Sequence, residues 1–294
     1  MSLGRLYTRW LTGISTKTGE KMTPKLSVPE LETLSSKIRA NILRLIHDAA
    51  SGHPGGSLSS VEIMTSLYFN VMNRNPEDPE RDRFILSKGH IAPLLYSVLM
   101  ETGDIPRSTD TLRKYGGLLM GHPDATKTKG VEVSSGSLGN GLSVATGIAA
   151  AAKIDGKKTK VYCLLGDGEC DEGLVWEAAM MAPHIKLDNL IAVVDRNMLQ
   201  IDGCTEDVIC LEPFADKWKA FNWNVIEVDG HSHEELINAF NRAGKVEGVP
   251  TLVMANTIKG KGVSFMENVA GFHGKAPSTE QLQIALSELG EETQ

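Results

Sequence analysis

The chain has 294 residues, 41% of them hydrophobic, enough for one large α/β domain or two ordinary ones with a full core. A net charge of −7 and a pI near 5.7 argue against nucleic acid or an anionic membrane surface as the main partner. No run approaches the roughly 18 apolar residues of a membrane span, and the four cysteines (Cys163, Cys170, Cys204, Cys210) contain no C-x-x-C pair, so a reduced, cytoplasmic protein without structural zinc is expected.

Residues 1–22 carry Arg5, Arg9 and Lys17 with no acid before Glu20, a bias shared with transit peptides. The apolar pattern there is short, so a disordered leader is expected, followed by one domain over 23–294. Ser27-Val28-Pro29-Glu30 reads as a capping box, and Leu31, Leu34, Ile38, Ile42, Leu45 and Ile46 follow at helical spacing to about Ala50. Ser51–Ser57 reads as a loop, Ser59-Ser60-Val61-Glu62 as a second capping box opening a helix to about Met72, and Arg74–Arg83 as a surface connection. A short strand is expected at Phe84–Leu86, a helix over Ile91–Glu101, a helical piece at Thr109–Tyr115, and a close-packed, alanine-rich helix at Leu142–Ala152. Val161–Leu165 and Leu190–Val194 look like buried strands around a helix at Glu172–Met181. A strand at Val225–Val228, a helix at His233–Arg242, a strand at Thr251–Ala255, an irregular stretch over Gly260–Gly274 and a closing helix at Thr279–Leu289 complete the pattern. Alternation without a spacer or repeat predicts one doubly wound α/β domain, its mainly parallel sheet covered by helices on both faces.

In a β-α-β unit the turns after both strands open on one edge of the sheet, which places Asp167 and Asn197 side by side. An acid and an amide there, beside Gly166 and Gly168, suit a divalent cation carrying a phosphorylated ligand. Taken singly, Asp-Gly and Arg-Asn are ordinary turn dipeptides. Gly136–Gly141 has the spacing G-x-x-G-x-G rather than G-x-G-x-x-G, and no P-loop exists, so dinucleotides and P-loop nucleotides are not favoured. His53, His90, His122 and His273 each lie in a glycine-containing loop, where imidazoles can bind sugar hydroxyls or phosphate and shuttle protons. His47, His184, His231 and His233 are read as structural. Glu169 and Asp171 are read as acids favoured by the helix dipole, and the spacing of Glu172 and Glu177 carries no further signal.

With these loops in this order, the sequence resembles the transketolases. The residues that carry the likeness are Ser51-Gly52-His53-Pro54-Gly55, Leu86-Ser87-Lys88-Gly89-His90, Gly121-His122-Pro123, Gly136-Ser137-Leu138-Gly139, Gly166-Asp167-Gly168 with Asn197, and Phe272-His273-Gly274. The resemblance implies the thiamine diphosphate-binding fold. It further implies Mg²⁺ or Ca²⁺ held by Asp167, Asn197 and the Leu199 carbonyl, backbone contacts from Gly136 and Gly168, and apolar contacts from Leu138 and Ile201. His53, His90, His122 and His273 take the places of histidines around the reactive carbon, while Glu172 and Glu177 take those of acids coupling two active sites across a subunit interface.

Lys88, where the family often has asparagine, departs from the pattern and either approaches a substrate phosphate or faces solvent. Gly56-Ser57-Leu58-Ser59 departs as well, and both leave the sugar open. Full transketolases carry a second domain that binds the aminopyrimidine and supplies an activating glutamate, and nothing after Ala255 suits it. The expectation is therefore the amino-terminal subunit of a split transketolase of carbohydrate (pentose phosphate) metabolism. It would form a dimer of heterodimers with a separate carboxy-terminal, pyrimidine-binding subunit, moving a two-carbon ketol unit from a ketose phosphate to an aldose phosphate. The alternatives are a thiamine diphosphate enzyme acting on an unusual sugar, or a catalytically silent binding or regulatory subunit.

Overall fold

Five apolar segments pair side by side as β1 (Arg83–Leu86), β2 (Val161–Gly166), β3 (Leu190–Arg196), β4 (Asn224–Asp229) and β5 (Thr251–Asn256). All pairings are parallel, in the order β1-β2-β3-β5-β4. The computed structural model describes residues 25–109 and 111–291, together with the two-residue antiparallel strands Ile14–Ser15 and Lys21–Met22. Apart from those four residues, the expected leader lies outside the described residues.

β1, β2, β3 and β5 are buried on both faces, while the edge strand β4 is exposed at Glu227 and Asp229, and the strand side chains divide with a period of two. Phe84, Leu86, Tyr162, Leu164, Ile191, Val193, Val253 and Ala255 enter one core with α1 (Val28–Asp48), α2 (Pro54–Ser59), α3 (Val61–Ser66) and α4 (Ala92–Thr102). Ile85, Val161, Cys163, Leu165, Leu190, Ala192, Val194, Leu252 and Met254 enter the other, with α5 (Asn140–Ile154), α6 (Gly173–His184) and α7 (Phe214–Ala220). The first core also takes α8 (His233–Ala243) and α9 (Thr279–Glu288). This is the doubly wound arrangement expected.

The capping box at Ser27 forms, its backbone N–H donating to Glu30 Oε2 at 2.7 Å. The second one does not. The chain is already helical from Pro54, inside the stretch read as a loop, and breaks between Ser59 and Val61; a wider turn over Leu67–Val71 replaces the last part of the expected long helix. Ser59 and Ser60 turn inward to Asp195, and Glu62 pairs with Arg39, so residues with capping chemistry serve buried partners instead. Thr109–Tyr115 is not helical among its described residues. Arg113 there has φ +57°, which an α-helix cannot hold. The helix α7 had no strong periodic signal and was not expected. Its Phe214 and Trp218 are buried and pack against Trp176 of α6. No helix among the described residues is long and apolar enough to cross a membrane.

Candidate functional site

The carboxyl ends of β1, β2, β3 and β5 open on one edge of the sheet, and every loop carrying a motif converges there. Gly166 pairs in register with Asp195, which puts the turn after β2 against the turn after β3. Asp167 Oδ2 accepts the Met198 N–H at 2.6 Å, Asp167 Oδ1 accepts the Gly168 N–H at 2.8 Å, and Asn197 Oδ1 accepts the Leu199 N–H at 3.1 Å. Asp167 and Asn197 are therefore neighbours, as the β-α-β argument requires. Burial and the Asp195 carboxylate push the Asp167 pKa upward against those hydrogen bonds. A nearby dication would reverse that shift.

Asp195 is fully buried at the centre of this edge. Its Oδ2 accepts from Ser59 Oγ (2.5 Å), Ser60 Oγ (2.9 Å), Lys88 Nζ (2.5 Å) and Asn197 Nδ2 (3.1 Å), and Thr257 Oγ1 donates to its Oδ1. Burial alone would raise its pKa, but the Lys88 ammonium and these donors hold it at about 2. Lys88 is only 1% exposed, so it neither faces solvent nor serves as a free cation for substrate. Because the Asn197 amide nitrogen points at Asp195, its oxygen is turned the other way, toward Leu199.

Glu169 is also buried, contrary to its reading as a helix-dipole acid. It accepts from Ser87 Oγ and from the Gly139 and Gly166 N–H groups, both at 3.0 Å, so one carboxylate ties together three loops of the site.

Three of the four loop histidines form a triangle. Ring centroids lie 5.2 Å apart for His53 and His90, 5.4 Å for His53 and His273, and 5.4 Å for His90 and His273. His122 lies against Gly136, where a Cβ would come 3.1 Å from its ring, and its charge bears on His53. Burial, reinforced by surrounding cations, lowers His53 to about 4 and His273 to about 3, and depresses His90 and His122 too. These rings are neutral hydrogen-bonding groups at physiological pH rather than cations for phosphate. The ring resonances of His53 and His273 should accordingly not titrate between pH 5 and 8 in NMR, and a midpoint near 6.5 for either would contradict the burial argument.

Lys259, which sequence reading missed, links the two halves of the site. It is 2% exposed, and its Nζ lies 2.8 Å from the Leu199 carbonyl and 2.9 Å from His273 Nδ1. Burial and the neighbouring Lys88 charge lower its pKa to about 8. An ammonium donating to Nδ1 leaves the His273 proton on Nε2. A signal did exist: a lysine between a strand's carboxyl end and Gly260, at the edge where ligands of open sheets bind.

The other expected contacts are less gathered. Leu138 is half-buried, Ile201 is 70% exposed, and Glu172 stands exposed at the residue before α6, near the exposed Leu174 and outside the histidine triangle. His231 and His233 are embedded in hydrogen bonds with Glu62, Ser35 and Ser66, in line with their structural reading.

Residues 31–294 match the family model described as "Transketolase, thiamine diphosphate binding domain". The chain belongs to the transketolase family. One subunit of the apulose-4-phosphate transketolase of Phocaeicola vulgatus is 44% identical over 90% of this chain and 96% of its own length. The 6-deoxy-6-sulfo-D-fructose transketolase subunit SqwG of Clostridium sp. is 43% identical over 90% and 97%. The crystal structure of the Campylobacter jejuni transketolase superposes with a TM-score of 0.84 at 31% identity, covering 91% of this chain and 44% of that one. Transketolase-family membership identifies the chain as part of a ketol-transferring enzyme, and it corresponds in extent to the amino-terminal subunits of split transketolases.

Proposed function

We propose that this transketolase chain holds the diphosphate end of thiamine diphosphate through a divalent cation, Mg²⁺ or Ca²⁺. With a separate pyrimidine-binding subunit it would transfer a two-carbon ketol unit between anionic sugars. The observation that carries the reading is the convergence of Asp167, Asn197 and the Leu199 carbonyl, joined through Lys259 to the triangle of neutral histidines.

The donors fit the group. An acid, an amide and a carbonyl are hard oxygen ligands, too few for a complete sphere, and phosphate oxygens and water would complete it. No cluster of three His, Cys, Asp or Glu among the described residues offers a metal site independent of such a ligand. The Leu199 carbonyl already receives a cationic group, the Lys259 ammonium. When bound, thiamine diphosphate supplies the electron sink for carbon–carbon cleavage.

In this reading Lys259 offsets diphosphate charge and fixes the His273 proton on Nε2, while His53, His90, His122 and His273 bind sugar hydroxyls and exclude water. Gly136 and Gly168 give backbone contacts, and Leu138 and Ile201 flank the rings. Exposure of Ile201 supports a site completed by another chain. Val144, Leu174, Met180 and Met181 are exposed apolar side chains on α5 and α6, the helix that also carries Glu177, and a dimer of heterodimers would close over them. Both relatives named above act on sugars bearing an anionic group, a phosphate or a sulfonate, which supports an unusual anionic ketose as donor. The free thiols support a cytoplasmic setting.

The test is reconstitution. The purified chain alone should show no ketol transfer, and adding the pyrimidine-binding subunit should restore it with an anionic ketose and an aldose phosphate. Full activity of the isolated chain would refute the two-subunit reading, and an inactive but properly assembled heteromer would favour the silent subunit.

A further inference from the structure

Lys259 stands between two backbone anchors that belong to one buried network. On its amino-terminal side, the Ile258 N–H donates to His231 Nε2 at 2.8 Å. That bond makes Nε2 the acceptor, so Nδ1 carries the proton and donates to Glu62 Oε2 at 3.0 Å. Glu62 is in turn gripped by Arg39 through both nitrogens, Nη1 to Oε1 at 2.7 Å and Nη2 to Oε2 at 2.8 Å. On the carboxyl-terminal side, Arg39 Nε donates to the Lys261 carbonyl at 2.9 Å.

The backbone is shaped to accept this grip. Gly260 and Gly262 have φ of +79° and +90°, and a Cβ on Gly262 would lie 2.9 Å from Arg39 Cδ. Glu62 remains charged, because Arg39 and His231 outweigh a burial effect that would raise its pKa and hold it at about 2. None of Arg39, Glu62 or His231 is within the histidine triangle or the Asp167 turn.

We infer that Arg39, Glu62 and His231 form a positioning clamp that fixes the backbone on both sides of Lys259 and thereby sets its ammonium between the Leu199 carbonyl and His273. The inference rests on the proposed role of Lys259 toward a diphosphate. Without the clamp, this buried ammonium gains by turning out to water, because exposure restores the solvation of its charge.

Two substitutions at one position separate the clamp from general stability. Gln in His231→Gln places an amide oxygen near the old Nε2 and keeps an acceptor for Ile258. Asn in His231→Asn reaches only the Nδ1 position, keeping the Glu62 contact and losing Ile258. With the full chain, thiamine diphosphate and Mg²⁺ in calorimetry, His231→Asn should bind about 10-fold more weakly or worse, as for lost outer-shell partners, and His231→Gln should stay within about threefold of wild type. Independently of any ligand, acetylation of Lys259 at one fixed pH, followed by mass spectrometry, should be several-fold faster in His231→Asn only, because the amine, 2% exposed in the wild type, then reaches solvent.

Unchanged affinity and unchanged Lys259 acetylation in His231→Asn would overturn the clamp, as would equal losses in both variants. If wild type does not bind thiamine diphosphate, the functional proposal fails while the acetylation rate of Lys259 still judges the clamp. Should His231→Asn not fold, Arg39→Lys, which keeps a cation on Glu62 and loses the Nε donor to Lys261, must show the same faster acetylation of Lys259.

Discussion

Asp167→Ala should lower the affinity for thiamine diphosphate in the presence of Mg²⁺ by about 100-fold or more, the upper end of what losing even an outer-shell partner costs a metal site. Asp167 is the only carboxylate among the three oxygen groups proposed to hold the cation, so its removal takes away the formal negative charge that selects a dication. Its other work is local. The Met198 N–H at 2.6 Å and the Gly168 N–H at 2.8 Å lose their acceptor, and Arg196, 3.5 Å from Oδ2, loses one of three acidic partners. The turns after β2 and β3 should loosen together. Calorimetry with and without Mg²⁺ distinguishes the two effects. The wild type should show a strong metal dependence of cofactor binding, and the variant should show weak binding that metal no longer improves. Affinity unchanged from wild type would place the cation elsewhere.

The sheet edge was legible because strand periodicity and parallel crossovers are properties of the chain itself. Val161–Leu165 and Leu190–Val194 had the unbroken apolar character of strands covered on both faces, and that fixed Asp167 beside Asn197 before any side chain was placed. The histidine loops were legible for a similar reason: glycine and proline neighbours keep His53, His90, His122 and His273 out of helices.

Buried charge was not legible. Lys88, Glu169, Asp195 and Lys259 look in sequence like residues of strand ends and surface turns, and their partners come from up to 136 residues away, as with Ser59 and Asp195. Nothing local announces such a partner. The same failure misplaced a helix start: Ser59, Ser60 and Glu62 have the composition of a capping box, but Asp195 and Arg39 offer them buried charges, and hydrogen bonds to charged groups exceed what a cap contributes. Thr109–Tyr115 failed differently, since Arg113 (φ +57°) and Gly116 (φ +74°) bend the chain into a turn closed by the Arg113 N–H on the Leu119 carbonyl, which overrides weak local propensity.

Lys88→Met should destabilise the fold by about 3–5 kcal/mol near neutral pH, because methionine keeps much of the side-chain volume and leaves Asp195 as an uncompensated buried charge. The pH dependence identifies the cause. In the wild type the Asp195 pKa, about 2, lies below its unfolded value of about 3.9. Its stabilising contribution is therefore complete above about pH 4 and is lost as pH falls through about 2. Without Lys88 the largest influence on Asp195 is burial, which raises its folded pKa above the unfolded one. The charge then costs stability at high pH, and protonation removes that cost as pH falls. Urea unfolding should thus show a deficit for Lys88→Met that is largest near pH 8 and shrinks toward pH 4. Adding Asp195→Asn should recover part of the loss, since an amide can still meet Ser59, Ser60 and Thr257 without a charge to compensate. A deficit independent of pH, unrelieved by Asp195→Asn, would show that Lys88 acts through packing alone. Recovery of stability in the double variant without recovery of cofactor affinity would separate two functions of Asp195: balancing the Lys88 charge, and turning the Asn197 oxygen away from itself toward the proposed cation.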